Sequence, residues 1–452
     1  MRSNKQSAEI LAHNRRFIPG GMVSINRSTQ PELVFVRGEG AYMWDADGHR
    51  YIDYHAAFGP YILGHNDPDV NHAVGEALRD GSSLFGSGTS VREGELAELI
   101  AAHVPCAEQV QLLNTGSEAT YQAIRAARAV TGRDHIIVMQ GGYNGWHNDV
   151  SCNLATPLNQ LGSRRSGDEY PYLPISAGVP QAHQQLVHPV NFNDLESVEA
   201  VCRRYPIAGL ITEPILQNIG LVKPQPGYLE GLRRLADHYG FALIFDEVKT
   251  GFRHAMGGYG ALCGVRPDLA VFGKALANGY PIAALAGRRE FMECFVHPEP
   301  SKRVLLAGTY NGHPIPVAAA IATLRKLEAG HGAASGAASG AAFRRLDELG
   351  ALTEKLLAPV FAAEGIETTI VRQGSAFCVY FMDHAPVDWH DLAAHHDFAL
   401  DETMRRSLID QGVYVFPIAT KQCSLSLAHS EEDIEFTAQQ FAEWTKLAVA
   451  VT

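Results

Sequence analysis

Six short apolar runs, separated by longer helical patterns, constrain this chain more than any other feature. They are Val110–Leu113, Ile136–Met139, Ala208–Ile211, Phe241–Phe245, Leu269–Phe272 and Val304–Ala307. Each is four or five residues long and bounded by turn residues, which suits a strand better than a buried helix. Strands alternating with helices predict a mainly parallel sheet covered on both faces. The stretch 228–239, YLEGLRRLADHY, has the apolar spacing of one covering helix.

In open sheets of this kind ligands sit outside the carboxyl ends of the strands. The residues that follow each run are therefore the candidates for chemistry. The first run is followed by Asn114-Thr115-Gly116-Ser117 and a helical pattern over Thr120–Val130. Gly116 allows close backbone approach, the Ser117 hydroxyl adds a donor, and a helix N-terminus attracts anions. The second is followed by a glycine-rich turn carrying Tyr143, which could stack on a flat heteroaromatic ring. The third ends in Glu213, which could order the site or hold another group in check.

The fourth run is followed by Asp246, and Val248 could sit against the ring face opposite Tyr143. The fifth ends in Lys274, in apolar company that lowers an amine's proton affinity. The sixth ends in Gly308-Thr309-Tyr310-Asn311-Gly312, where backbone N–H groups and a hydroxyl could hold phosphate oxygens. Singly, these are an ordinary turn, a core tyrosine, a capping acid and a snorkelling lysine. Together they supply what pyridoxal phosphate needs. The Lys274 amine can form a Schiff base with the cofactor aldehyde, and Asp246 can keep the pyridine nitrogen protonated.

The 452 residues allow two or three packed units, and 46% apolar with 19% charged residues is ordinary globular composition. A net charge of −12 argues against nucleic acid and anionic membranes. The seven cysteines are scattered without a C-x-x-C, which fits free thiols in a reducing compartment. With no apolar signal segment and no apolar stretch of spanning length, a cytoplasmic protein is expected.

Residues 34 to 54 alternate like strands, with turns at Gly38-Glu39-Gly40 and Asp47-Gly48. Gly330–Ala342 reads as a low-complexity connector. Beyond it come a helical pattern (Phe343–Ala363), strand-like runs at Ala376–Met382, Val413–Phe416 and Ser424–Leu427, and a last helix capped by Ser430. This divides the chain into an N-terminal segment (1–68), a large domain (69–326) and an α+β small domain (327–452) which the N-terminal segment joins. His390, His395 and His396 lack the spacing of a metal motif and read as a solvated helix.

The segments NTGSEAT (114–120), GGYNG (141–145), FDEVKTGFR (245–253), FGKALANGYP (272–281) and AGTYNGHP (307–314) resemble the class III, fold type I pyridoxal-phosphate aminotransferases. PGGMVSINRS (19–28), WDADGHRYIDY (44–54), ILGHNDP (62–68) and LAHSEEDIEFT (427–437) look like the branch that contains glutamate-1-semialdehyde aminomutase. The resemblance runs from about Pro19 to the C-terminus. It implies that Lys274 carries the cofactor and shuttles a proton, and that Asp246 pairs with the pyridinium. It further implies that Tyr143 and Val248 sandwich the ring, and that Gly116 and Ser117 bind the phosphate. Thr309 would come from the second subunit of a homodimer with its site at the interface. Arg27 matches an arginine that grips a substrate carboxylate as a fork.

Three departures bear on substrate. Lys421 stands where the aminomutase pattern has a glutamate, Phe58 where a tryptophan is usual, and Asn144 where the usual motif has a histidine. The segment 147–180 is longer than its aminomutase counterpart, contains Arg164-Arg165, and is expected to form a lid. An acid replaced by a base reverses the local charge preference. The first expectation is thus a transaminase that moves an amino group between a carboxylate-bearing amino acid and an oxo acid. Intramolecular transfer, as in the aminomutase, and racemisation or epimerisation are the alternatives.

Overall fold

A computed structural model describes residues 4–329 and 340–451. Residues 330–339, most of the low-complexity stretch, lie outside the described residues. Ala341 and Ala342, its end, already belong to the helix Ala341–Ala363. The chain divides into two compact units. One comprises Met1–Asp67, Arg345–Ala385 and His396–Thr452, the other Pro68–Arg344 and Pro386–His395.

Among the described residues the larger unit is built on seven strands: β1 (Gln109–Leu113), β2 (His135–Met139), β3 (Val187–Val190), β4 (Ile207–Thr212), β5 (Ala242–Glu247), β6 (Leu269–Phe272) and β7 (Ala283–Gly287). Their order across the sheet is β1-β7-β6-β5-β4-β2-β3. All neighbours run parallel except β7, which is antiparallel to both β1 and β6. The sheet is thus mainly parallel, as the alternating pattern implies. A helix α1 (Gly116–Thr131) packs on it through Ala119, Ala123, Ala126 and Ala127, all fully buried. Small side chains bring this helix close. A Cβ on Gly209 of β4 would stand 3.2 Å from the Ala127 methyl.

The expected strand Val304–Ala307 does not form. Its place beside β1 and β6 is taken by β7, which pairs with both. Val304 is buried and donates its N–H to the Cys294 carbonyl, but Leu305 is 69% exposed, so the run cannot be an inner strand. The alanine-rich β7 escapes sequence reading because alanine and glycine are weak strand formers.

The smaller unit holds two sheets. Phe35–Glu39, Tyr42–Asp45 and Arg50–Asp53 form an antiparallel meander, and Val413–Tyr414 adds parallel to its third strand. Thr369–Gln373, Ala376–Tyr380 and Cys423–Ser424 form the second. Of the expected run Val413–Phe416 only Val413–Tyr414 is strand, and of Ser424–Leu427 only Ser424, which extends the strand from Cys423. Tyr54, Leu349, Phe361, Phe377, Leu408, Phe441 and Trp444 form the core between these sheets and the helices. The last helix, Glu431–Val451, is capped as expected, with Ser430 Oγ accepting the Asp433 N–H at 3.1 Å. Among the described residues no helix is long and apolar enough to cross a membrane.

The histidine-rich stretch is not a solvated helix. His390, on the helix Trp389–His395, is buried, with Nδ1 3.2 Å from Asn191 Oδ1 and Nε2 3.2 Å from the Gly162 carbonyl. His396 is buried in the smaller unit, 3.2 Å from Asp401. Only His395 of the three is exposed. The apolar anchor is Trp389, whose Nε1 donates to the Thr156 carbonyl at 2.8 Å.

Candidate active site

The carboxyl ends of β4, β5 and β6 carry Glu213, Asp246 and Lys274, which parallel pairing sets side by side. Asp246 and Glu213 are both buried. Asp246 Oδ1 accepts the Val248 N–H at 3.0 Å, and Oδ2 accepts the Asn144 side-chain amide at 2.9 Å. Glu213 accepts two backbone N–H groups, Tyr143 on Oε1 and Gln217 on Oε2, each at 3.0 Å.

Burial raises the proton affinity of both carboxyls, and for Glu213 the Asp246 charge adds to it. Donated hydrogen bonds and the Lys274 ammonium oppose this for Asp246. Lys274 is lowered by burial, against the pull of Asp246 and Glu213. Its backbone is left-handed, with φ of 45°, a strained conformation for a side chain with a Cβ.

The turn after β1 is built by a reciprocal cap. Thr115 Oγ1 accepts the Glu118 N–H, and Glu118 Oε2 accepts the N–H groups of Asn114 and Thr115 at 2.9 and 3.0 Å. Gly116 and Ser117 are the first residues of α1, where N–H groups have no intrahelical acceptor. A Cβ on Gly116 would stand 2.9 Å from a Val248 methyl, and one on Gly273 would lie 3.5 Å from Val248. Val248 thus joins the anion turn to the strand that bears Lys274. A Cβ on Gly145 would meet Ser117 Oγ at 2.9 Å, and Ser117 Oγ accepts the Trp146 N–H at 3.3 Å. Tyr143 is half-buried, and burial raises its hydroxyl's proton affinity.

Gly116, Ser117, Tyr143, Glu213, Asp246, Val248 and Lys274 therefore form one cluster. Thr309 is exposed. Its turn still reaches the cluster's rim, because Asn311 Oδ1 accepts the Asn114 amide at 2.9 Å. Sequence reading missed the supporting residues. Thr120, fully buried, donates to the Asn144 carbonyl at 2.6 Å and lies 3.1 Å from His147 Nε2. Lys249 donates to the Gln217 carbonyl at 2.7 Å. Glu247 accepts Thr250 Oγ1 and the N–H groups of Tyr259 and Gly260. All three lie in segments that carry the family resemblance, Thr120 in NTGSEAT and Glu247 and Lys249 in FDEVKTGFR, but only Glu247, beside Asp246 at a strand end, carried a signal of its own.

Arg27, Phe58 and Lys421 belong to the smaller unit. Arg27 is exposed on the short turn Ile25–Arg27. Phe58 has a left-handed backbone and packs against His55 and Phe416, ring centroids 4.3 and 4.9 Å away. The Lys421 carbonyl accepts Arg405 Nη2 at 2.9 Å, and the Thr420 N–H donates to Asp401 at 2.7 Å. The 147–180 segment is fastened down within the larger unit. Asn153 binds Gln140 and the Pro171 carbonyl, Tyr170 N–H donates to Pro189, and Arg164 pairs with the buried Asp388 at 2.6 Å.

The cluster suits pyridoxal phosphate. A desolvated amine, a buried carboxylate and a glycine cradle at a helix N-terminus converge at one sheet edge, and the cradle leaves no room for a Cβ. Comparison with known proteins agrees. Residues 23–438 match the model of the family described as aminotransferase class III. The glutamate-1-semialdehyde 2,1-aminomutase of Desulforudis audaxviator is 37% identical over 453 residues, covering 99% of each chain. An omega-transaminase from Sphaerobacter thermophilus superposes with a TM-score of 0.86 at 28% identity, covering 97% of each chain. A structure described as a transaminase with pyridoxal phosphate bound gives 0.85 at 28% identity, covering 100% of this chain and 99% of that one. With its fold, its strand-end cluster and these relatives in agreement, this chain belongs to the class III aminotransferase family of pyridoxal-phosphate enzymes.

Proposed function

We propose that this enzyme moves an amino group on a carboxylate-bearing substrate, and that the transfer is intramolecular, as in glutamate-1-semialdehyde 2,1-aminomutase. Sequence reading put two-substrate transamination first. The full-length likeness to an aminomutase, at 37% identity over 99% of both chains, carries the preference for the alternative.

Bound pyridoxal phosphate supplies an electron sink for charge developing at the amine-bearing carbon. The chain's residues do the rest. Lys274 holds the cofactor through its amine and moves the substrate proton, helped by desolvation that weakens its hold on protons. Asp246 holds the proton on the pyridine nitrogen. Tyr143 and Val248 flank the ring, and Glu213 fixes the turn that carries Tyr143. Gly116 and Ser117 take the phosphate, completed by Thr309 of a second copy in a homodimer. Arg27, as a grip on a carboxylate, Phe58 and Lys421 are the candidates for substrate recognition.

Two-substrate transamination is the second reading. The specific observation in its favour is Lys421, a base where the aminomutase pattern has an acid. Glutamate-1-semialdehyde supplied with no oxo acid decides between them. Stoichiometric 5-aminolevulinate supports the mutase. No product there, but turnover with an amino acid and 2-oxoglutarate or pyruvate, supports the transaminase. Deuterium uptake at the substrate carbon without a new oxo acid points to racemisation.

A further inference from the structure

Asn144 stands in the sequence where the usual motif has a histidine. In the structure it is buried at 3% exposure, between helix α1 and the end of β5. Its side-chain amide donates to Asp246 Oδ2 at 2.9 Å. Its backbone carbonyl accepts the Thr120 hydroxyl at 2.6 Å, and His147 Nε2 lies 3.1 Å from that hydroxyl. One residue earlier, the Tyr143 N–H is held by Glu213 at 3.0 Å. The turn is pinned from two sides, so the direction of the Asn144 amide is set before any ligand arrives.

Asp246 needs such a donor. It is fully enclosed, and Glu213 and Glu247 stand beside it as further buried carboxyls. The remaining titratable groups facing it are Lys274 and the Tyr143 hydroxyl. A buried carboxyl among others takes up a proton unless donors favour its ionised form. Only two hydrogen-bond donors serve Asp246 among the contacts described, the Val248 N–H and the Asn144 amide. The first comes with the strand end. The second is the one a side-chain change can remove.

We propose that Asn144 is a positioning residue that keeps Asp246 ionised and aimed at the cofactor's pyridine nitrogen. This rests on the reading that Asp246 faces that nitrogen. An amide, unlike an imidazole, does not titrate between pH 5 and 9. Its donor is therefore constant across that range.

The test is cofactor affinity against pH, with the absorbance of the bound cofactor followed in parallel. Four variants are compared with the unaltered enzyme: Asn144→Ala, Asn144→Asp, Asn144→His and Asp246→Asn. Loss of a charge-assisted donor is expected to weaken pyridoxal phosphate about tenfold near pH 8 for Asn144→Ala. The loss grows as the pH falls, because a carboxyl with raised proton affinity loses its charge on acidification. Asn144→Asp keeps the side-chain volume but replaces the amide with a carboxyl that donates only when protonated, so its loss is largest at high pH and shrinks as the pH falls, which preserves the test if the alanine variant does not fold. Asn144→His restores a donor and recovers most of the affinity. Affinity and pH profile unchanged in Asn144→Ala and Asn144→Asp, with Asp246→Asn impaired, overturns the role of Asn144 alone. If Asp246→Asn is also unchanged, the assignment of Asp246 to the ring nitrogen fails instead.

Discussion

The strand-end cluster of the larger unit and the loop residues of the smaller one are made in different ways. Glu213, Asp246 and Lys274 stand at the ends of adjacent parallel strands, and Asp246 and Glu213 are fixed by hydrogen bonds to buried neighbours. Arg27, Phe58 and Lys421 sit on turns whose shape comes from left-handed residues, ring packing and one buried ion pair. Chemistry shared by a family suits the first kind of support, and discrimination among substrates suits the second, which can vary without disturbing the sheet.

The largest expected effect falls on the first region. Lys274→Ala should lower turnover at least about 1000-fold, since it removes the amine proposed as both attachment and proton carrier, while the fold persists. Rapid-mix turnover and circular dichroism check the two halves. In the second region, Arg405→Met leaves the buried Asp401 without its guanidinium partner and should cost about 3–5 kcal/mol, read by denaturant unfolding. It should also release the Lys421 carbonyl and alter substrate preference while cofactor affinity holds. Equal losses of cofactor and substrate binding would erase the contrast between the regions.

The same ion pair has a pH signature. Burial opposes ionisation of Asp401, but Arg405 and His396 hold its carboxyl below the ordinary range. A depressed carboxyl stabilises the fold above its unfolded value, near pH 4, and this contribution is lost as pH falls through the folded value. Asp401→Asn should flatten that acid limb in thermal unfolding.

A smaller effect is expected at Gly116→Ala. The new methyl meets Val248 at 2.9 Å, so about 1–3 kcal/mol of stability is lost, with weaker cofactor binding. Smallest is Arg27→Ala. An exposed guanidinium should change KM about tenfold for carboxylate-bearing substrates and leave turnover nearly unaltered. An equal loss for substrates lacking a carboxylate would remove Arg27 from the substrate site.

Legibility in the sequence follows the same division. A strand ending in a charged residue leaves a local trace, so Asp246, Lys274 and Glu213 could be picked out from apolar runs alone. The cap at Thr115 and Glu118 was within reach by spacing. Long-range supports leave no such trace. Thr120 meets Asn144 across 24 residues, and Asn144 meets Asp246 across 102. The alanine-rich β7 was invisible because its pairing on both edges, not its propensity, makes it a strand. Arg27, Phe58 and Lys421 carry no pattern of their own and could be named only through resemblance.

In the proposed function everything turns on Lys274 as the residue that carries the cofactor. Borohydride reduction of the cofactor-loaded enzyme, followed by peptide mass mapping, tests it most directly. A pyridoxyl group on Lys274 alone is expected. A label on Lys249, the other lysine near Glu213, or no label at all, would contradict it.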